Sequence, residues 1–167
     1  MPIAHVQTAS YTNNGGSKTA ARALPLTNTS GNLIVAAVSW GDNGTFTCAD
    51  TRGNTYAVAT IAYDSSNGQS LGICYAANSK AGTTANTVTV TLSKSSSHRR
   101  LIVHEYSGIA KVSPVDTNLV NGQPVPVTAK NNTNGSTAAN AITSGTATTS
   151  TNGDLIFGAT MDDQWVT

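Results

Sequence analysis

The chain has 167 residues, which is enough for one domain with a hydrophobic core of ordinary size. Only 10% of the residues are charged and the formal net charge is +1, so there is no basic stripe and a nucleic-acid partner is excluded. No apolar run approaches the roughly 20 residues of a membrane span, and the first residues lack the charged and apolar regions of a signal peptide.

The first third of the chain predicts two edge strands and one central strand. Residues 3–9 alternate weakly and predict an opening edge strand. Residues 19–26 predict a strand or a single helical turn, and Pro25 restricts a strand there to a sheet edge. Residues 32–40 form the longest apolar run, are rich in β-branched residues and lie between turn-forming residues. That pattern is typical of a central strand covered on both faces.

The middle of the chain predicts further strands separated by turns. The turn-forming residues 50–54 interrupt two short strand-like segments, and we predict a hairpin over residues 46–62. A turn at residues 64–68 precedes a strand at residues 69–77. Between residues 87 and 92, valine and leucine alternate with threonine. This period of two predicts an antiparallel strand with one buried face and one wet face.

The last third of the chain completes an all-β pattern. Residues 99–106 predict a strand, residues 125–128 a short strand, and residues 154–161 a second buried strand that is central in a sheet. No helix of more than two turns is visible in the sequence. We therefore predict an all-β fold, an antiparallel two-sheet sandwich of the jelly-roll type, with residues 1–167 as a single domain.

The end of the chain raises the question of what pairs with the last predicted strand. Only residues 162–167 follow residues 154–161, which is too short for a loop and a return strand, so we expect the domain to lack its last strands. An unpaired edge invites another chain. Either strand addition from another segment or subunit fills it, or residues 3–9 fold back onto their own chain, and the second alternative is favoured.

Six stretches of the sequence, taken in order, carry a resemblance. They are residues 31–40 (GNLIVAAVSW), 50–56 (DTRGNTY), 69–78 (QSL followed by YAAN), 86–90 (NTVTV), 105–108 (EYSG) and 153–158 (GDLIFG). In this order they resemble poorly characterised β-sandwich units of large secreted or surface proteins of soil and aquatic bacteria, which stand beside immunoglobulin-like, fibronectin-like and lectin-like modules.

The resemblance covers about residues 3–161. It implies a β-sandwich, an extracellular location and a binding or structural role without catalytic activity. Similar units usually continue for a few more strands past the position of Thr167. They also more often carry other residues where this sequence has Cys48 and Cys74.

Cys48 and Cys74 lie on two predicted strands. In an exported protein a disulfide is the natural interpretation, whereas two buried free thiols are the alternative. We predict the disulfide, and the chain-entropy model gives a stabilisation of roughly 3–4 kcal/mol for a loop of this size. No spacing of cysteine and histidine indicates a zinc site.

Glu105 lies in an apolar strand, on the same face as Leu101 and Val103. A carboxylate on such a face costs free energy unless it is hydrogen-bonded. One interpretation is a catalyst for an intramolecular isopeptide bond between a lysine and an asparagine. The favoured alternative is a carboxylate that ties down loop amides or faces solvent. No nucleophile elbow is present and the histidines are scattered, so we expect no enzyme.

Two tryptophans lie next to acidic residues where predicted strands end. Trp40 precedes Asp42, and Trp165 follows Asp163. A tryptophan can stack on a sugar ring while a neighbouring carboxylate binds its hydroxyls. We predict a ligand site at these four residues, and the alternative is that each tryptophan plugs the core.

The sequence as a whole favours a non-catalytic extracellular binding module for a polysaccharide or cell-surface glycan, acting in adhesion. The alternative is a structural subunit of a surface layer or fibre that self-associates through its sheet edges by β-strand addition. We expect a secreted or cell-surface location and no cofactor. Asp162 and Asp163 can contribute to a structural calcium site, although capped turns are favoured there.

Overall fold

The computed structural model of the protein describes residues 2–120, 123–126, 148–149 and 153–161. The strands in these ranges are β1 (Ala4–Asn13), β2 (Ser17–Ala23), β3 (Leu33–Trp40), β4 (Phe46–Asp50), β5 (Ala57–Asp64), β6 (Gln69–Ala76), β7 (Thr87–Ser96), β8 (Arg99–Ser107), β9 (Thr117–Val120) and β10 (Gln123–Pro126). The described ranges contain no helix, and therefore none of the length and apolarity that a membrane crossing requires.

Two antiparallel sheets pack against each other, which confirms the predicted all-β sandwich. One sheet has the order β1-β8-β3-β6-β5 and the other the order β2-β7-β4, while β9 and β10 form a separate ribbon. The pairs β1·β8, β2·β7 and β3·β6 are those of one long hairpin folded across the two sheets, which is the jelly-roll scheme. The strand β5 departs from this scheme because it pairs with β6 instead of β4.

The strand β3 is central, as its apolar run predicts. It pairs with β6 on one side and β8 on the other, and all of its residues except Ser39 are buried. Its inward side chains meet Val88, Val90 and Leu92 of β7, which is the middle strand of the facing sheet. The threonines between these three residues point away from the core, so the predicted alternation of β7 is confirmed.

The two sheets are joined covalently and by one aromatic contact. The predicted disulfide between Cys48 and Cys74 is confirmed, and it connects β4 of one sheet with β6 of the other. Phe46 lies two residues before Cys48, and Gly72 lies two residues before Cys74. The Phe46 ring faces Gly72 and occupies the space that a side chain at position 72 would take. The glycine in β6 is therefore required by packing between the sheets.

The predicted edge strands are also confirmed. Both β1 and β2 lie at sheet edges, and the segment that begins at Ser17 is a strand instead of a helical turn. The first strand pairs with β8 of the same chain, from Ala4 opposite Ser107 to Asn13 opposite Arg99. Of the two alternatives for the opening segment, folding back onto its own chain is the one observed. Of the short strand predicted at residues 125–128, residues 125–126 lie in β10, and residues 127–128 lie outside the described residues.

The predicted hairpin over residues 46–62 is wrong, because β4 and β5 belong to different sheets. The Asp50 carboxylate accepts hydrogen bonds from the backbone N–H groups of Arg52 at 3.0 Å and Asn54 at 3.1 Å. These bonds close a capped loop that carries the chain from one sheet to the other. Turn-forming residues alone do not specify which sheet the next strand joins.

The predicted second buried strand at residues 154–161 is also wrong. These residues are in no strand, and the Ile156 side chain is 83% exposed. The ring of Phe157 instead contacts the rings of His104 and Tyr106 on β8, with centroid distances of 5.5 and 6.5 Å. The segment thus lies on the outer face of the five-stranded sheet. The open edge expected beside a central strand at this position does not arise.

Candidate functional site

Three loops that run between the sheets meet at one end of the sandwich, which we call the loop end. They are residues 24–32, 51–56 and 77–86. Gly31 donates a backbone hydrogen bond to Ser79 at 2.8 Å, and Ser79 donates one to Asn32 at 2.8 Å. The backbone N–H of Lys80 donates to the Asn54 side chain at 2.9 Å. The three loops therefore support one another.

Glu105, the only glutamate in the sequence, anchors the first of these loops from inside the sandwich. Its side chain is 0% exposed. One carboxylate oxygen accepts hydrogen bonds from the backbone N–H of Thr29 at 2.9 Å and the amide of Asn32 at 2.7 Å. The other accepts from the Asn28 amide at 3.0 Å and from the Gln7 amide. All four donors are uncharged.

This arrangement supports the structural interpretation of Glu105. A buried carboxylate without a cation is tolerated when its oxygens are saturated with donors. The isopeptide alternative requires a lysine beside the carboxylate, and the donors found in the described part of the chain are three amide side chains and one backbone N–H. Gln7 extends the anchor to the start of the loop, because its amide oxygen accepts from the backbone N–H of Leu26 at 2.8 Å.

Asp50 anchors the second loop in a similar way. Besides its two backbone donors, its carboxylate accepts from Asn54 at 2.7 Å, Asn86 at 2.9 Å and the Tyr56 hydroxyl at 3.0 Å. Burial raises the pKa of Asp50, but the hydrogen bonds from Asn86, Asn54 and Tyr56 outweigh it and hold that pKa below its ordinary value. Burial and the charge of Asp50 raise the pKa of the Tyr56 phenol.

A cleft of about 550 Å³ opens at the loop end, between residues 29–32 and residues 107–111. Val6 and Ile109 contribute apolar surface to the cleft, and Ser30, Asn32 and Ser107 contribute polar groups. The volume is within the range of small-molecule sites in proteins. Two of its lining residues, Thr29 and Asn32, are the ones that Glu105 holds from below.

The ammonium group of Lys111 places a positive charge at the cleft. It is exposed, and its ammonium end lies over Gly31, where a Cβ would come within 2.9 Å of the nitrogen. Gly31 has a φ of +88°, which L side chains rarely adopt. The glycine therefore permits both the loop conformation and the close approach of the lysine.

The structure places Trp40 in the core and not in a binding site. The side chain is 2% exposed and packs on Phe46 with ring centroids 5.6 Å apart. It lies at the end of β3 opposite the loop end, so it has no ring face for a sugar, and the core-plug interpretation applies to it. Asp42 forms an ion pair with Lys94 at 2.9 Å, and the hydrogen bond from Lys94 lowers the pKa of Asp42.

The other predicted site residues, Trp165 and Asp163, lie outside the described residues, and so does Asp162. The ligand site predicted there and the calcium site at Asp162 and Asp163 therefore stay predictions. In the described part of the chain, no three histidine, cysteine, aspartate or glutamate side chains converge as metal ligands.

Sequence reasoning found Glu105 but missed the cleft. The lining comes from β1, from the loop before β3 and from the segment after β8, which are far apart in the sequence. The sequence contains one indication of the loop that lines the cleft. Asn28, Gly31 and Asn32 lie directly before the most apolar strand, where buried polar groups must find hydrogen-bond partners. Comparisons with family models, curated proteins and solved structures returned no match to this chain.

Proposed function

We propose that the protein is a non-catalytic carbohydrate-binding module whose ligand occupies the loop-end cleft. The observation that carries the proposal is the fixed position of residues 29–32, which Glu105 holds from below and Ser79 holds from the side. A wall that is ordered before binding loses little conformational entropy when a ligand arrives. Such preorganisation suits a polar ligand that offers little apolar area.

The composition of the cleft suits a sugar with an acidic group. Hydroxyl and amide groups of Ser30, Asn32 and Ser107 can exchange hydrogen bonds with sugar hydroxyls, while Val6 and Ile109 can contact the apolar ring faces. Lys111 can form a charge-assisted hydrogen bond with a carboxylate or sulfate. The proposed ligand is therefore an acidic polysaccharide or cell-surface glycan, and the proposed role is adhesion.

Two further observations support a binding role outside the cytoplasm. The carboxylates of Glu105 and Asp50 accept four and five hydrogen bonds, respectively, which leaves neither oriented as an acid or base toward the cleft. The disulfide between Cys48 and Cys74 is of the kind that persists in oxidising compartments, which is compatible with a secreted or surface location.

The test is a titration of the protein with acidic oligosaccharides, such as oligogalacturonates, and with neutral oligosaccharides of equal length, followed by amide chemical shifts. We expect shifts at residues 29–32 and 107–111 for the acidic ligands. Replacing Lys111 by Ala removes the cation from the cleft and should weaken binding about tenfold, or about 1.4 kcal/mol. Lys18→Ala is the matched control, because Lys18 is an exposed lysine on β2.

Equal binding by the Lys111→Ala and Lys18→Ala variants would contradict the proposed site. Shifts confined to other surfaces would contradict it as well. A protein that binds no glycan and whose mass in light scattering rises with concentration would favour the structural-subunit alternative. The strand β5 supports that alternative, since within the described residues it pairs only with β6 and carries no charge from Ala57 to Tyr63.

A further inference from the structure

Two histidines, neither of which lines the cleft that carries the proposed function, meet on the outer face of the five-stranded sheet. His5 lies on β1 and His104 on the neighbouring strand β8. The Nε2 atom of His5 is 3.4 Å from the Nδ1 atom of His104, and the ring planes make an angle of 66°. His5 is exposed and His104 is half-buried, so the nitrogens lie near the solvent boundary.

A β-bulge brings the two rings to the same face. His104 is opposite Thr8, and residues 5 and 8 of a regular strand would point to opposite sides of the sheet. The register shifts between His5 and Gln7, so that His5 lies opposite Tyr106. The extra residue thus turns His5 outward while Gln7 still points inward to Glu105.

The nitrogen separation fits a shared metal ion. Zinc binds imidazole nitrogen at about 2.0–2.1 Å, and two such bonds at the tetrahedral angle place the nitrogens roughly 3.3–3.4 Å apart. Imidazole is a good ligand for zinc, nickel and copper. We propose that His5 and His104 form a binding site for a divalent transition-metal ion at this edge of the sheet.

Neighbouring rings hold the two imidazoles in place. The His104 ring stacks on Tyr106 at a centroid distance of 5.9 Å, and the His5 ring meets Tyr106 edge-on at 5.4 Å. The Phe157 ring contacts the rings of both His104 and Tyr106. Within the described residues, the site has two protein ligands, so water completes the coordination of the ion, and its affinity is weaker than that of a closed structural site.

The experiment is isothermal titration of the untagged protein with zinc, nickel or copper chloride near pH 7.5 in a non-coordinating buffer. We expect one ion to bind per chain. Copper should bind more tightly than nickel or zinc, as the Irving–Williams order of affinities predicts. His5→Ala should weaken binding at least tenfold, and His104→Ala should do the same. His98→Ala is the matched control, because His98 lies at the turn between β7 and β8.

The fold of each variant is checked by circular dichroism and by its melting temperature. His5→Ala is the decisive variant, since His5 is exposed and its removal leaves the core unchanged. If the wild-type protein does not bind any of the three ions, the proposal is overturned. It is also overturned if folded His5→Ala retains wild-type affinity, or if His98→Ala loses affinity as the other two variants do.

Discussion

Glu105 shows how one buried carboxylate can organise a loop without an opposite charge. Its oxygens receive an N–H from the backbone and N–H groups from three amide side chains. Hydrogen bonds to a charged group contribute more than neutral ones, and removing the acceptor would leave several buried donors without a partner. The loop before β3 therefore depends on a residue located more than seventy positions later, as the separation of Asn32 and Glu105 shows.

This dependence gives a prediction for Glu105→Gln. The glutamine retains the volume but places an NH₂ group against donors that need an acceptor. We expect a loss of about 2–4 kcal/mol in the free energy of unfolding, measured by urea denaturation. Asp154→Asn, at an exposed position, is the control and should change stability by less than about 0.5 kcal/mol. Equal stabilities of the two variants would show that Glu105 is not an anchor.

Asp50 predicts a pH dependence of stability. The hydrogen bonds around it hold its pKa below that of the unfolded chain, which is about 3.9 for aspartate. The stabilisation by Asp50 is therefore present above that value and is lost as the pH falls through the lower, folded pKa. We expect the free energy of unfolding to fall more steeply from pH 5 to pH 2 in the wild type than in Asp50→Asn. Parallel curves would disprove the assignment.

Individual elements were predictable from the sequence where a single period dominated. The apolar run of β3 identified a strand covered on both faces, and the alternation of β7 identified a strand and its buried side. The hairpin over residues 46–62 was wrong because the sequence shows a turn but not the direction in which Asp50 closes it. Residues 154–161 resemble β3 in composition, yet apolar content does not distinguish a paired strand from a segment lying on a sheet.

The bulge in β1 explains why the histidine pair was not predicted. Positions 5 and 104 have no special spacing, and their rings meet only because one extra residue lies between His5 and Gln7. The cleft was unpredictable for a related reason. Its lining combines Val6, residues 29–32 and residues 107–111, which the pairing of β1 with β8 and of β8 with β3 brings together.

At the scale of the whole described structure, the two sheets of the sandwich share one core, and the disulfide ties them together. Cys74 is fully buried and Cys48 packs at the edge of the same core. The bond closes a loop that contains β5 and the crossing between the sheets. The disulfide therefore restricts the unfolded chain in the segment that contains β5, the strand that departs from the jelly-roll pairing.

The double variant Cys48→Ala, Cys74→Ala should be less stable than the oxidised wild type by roughly 3–4 kcal/mol, since the loop-closure entropy is no longer removed from the unfolded state. The free energy of unfolding in urea measures this difference. The wild-type protein under reducing conditions is the control and should approach the double variant. Equal stability of the oxidised wild type and the double variant would contradict the expected stabilisation.

The pairing of β1 with β8 also has a consequence for folding during synthesis. Ala4 pairs with Ser107, so the first strand leaves the ribosome long before its partner exists. At about 5–20 residues per second, that delay is roughly 5–20 s. During this time, β1 exposes unpaired backbone groups that can pair with other chains. Closure of the five-stranded sheet is accordingly a late event that depends on long-range contacts.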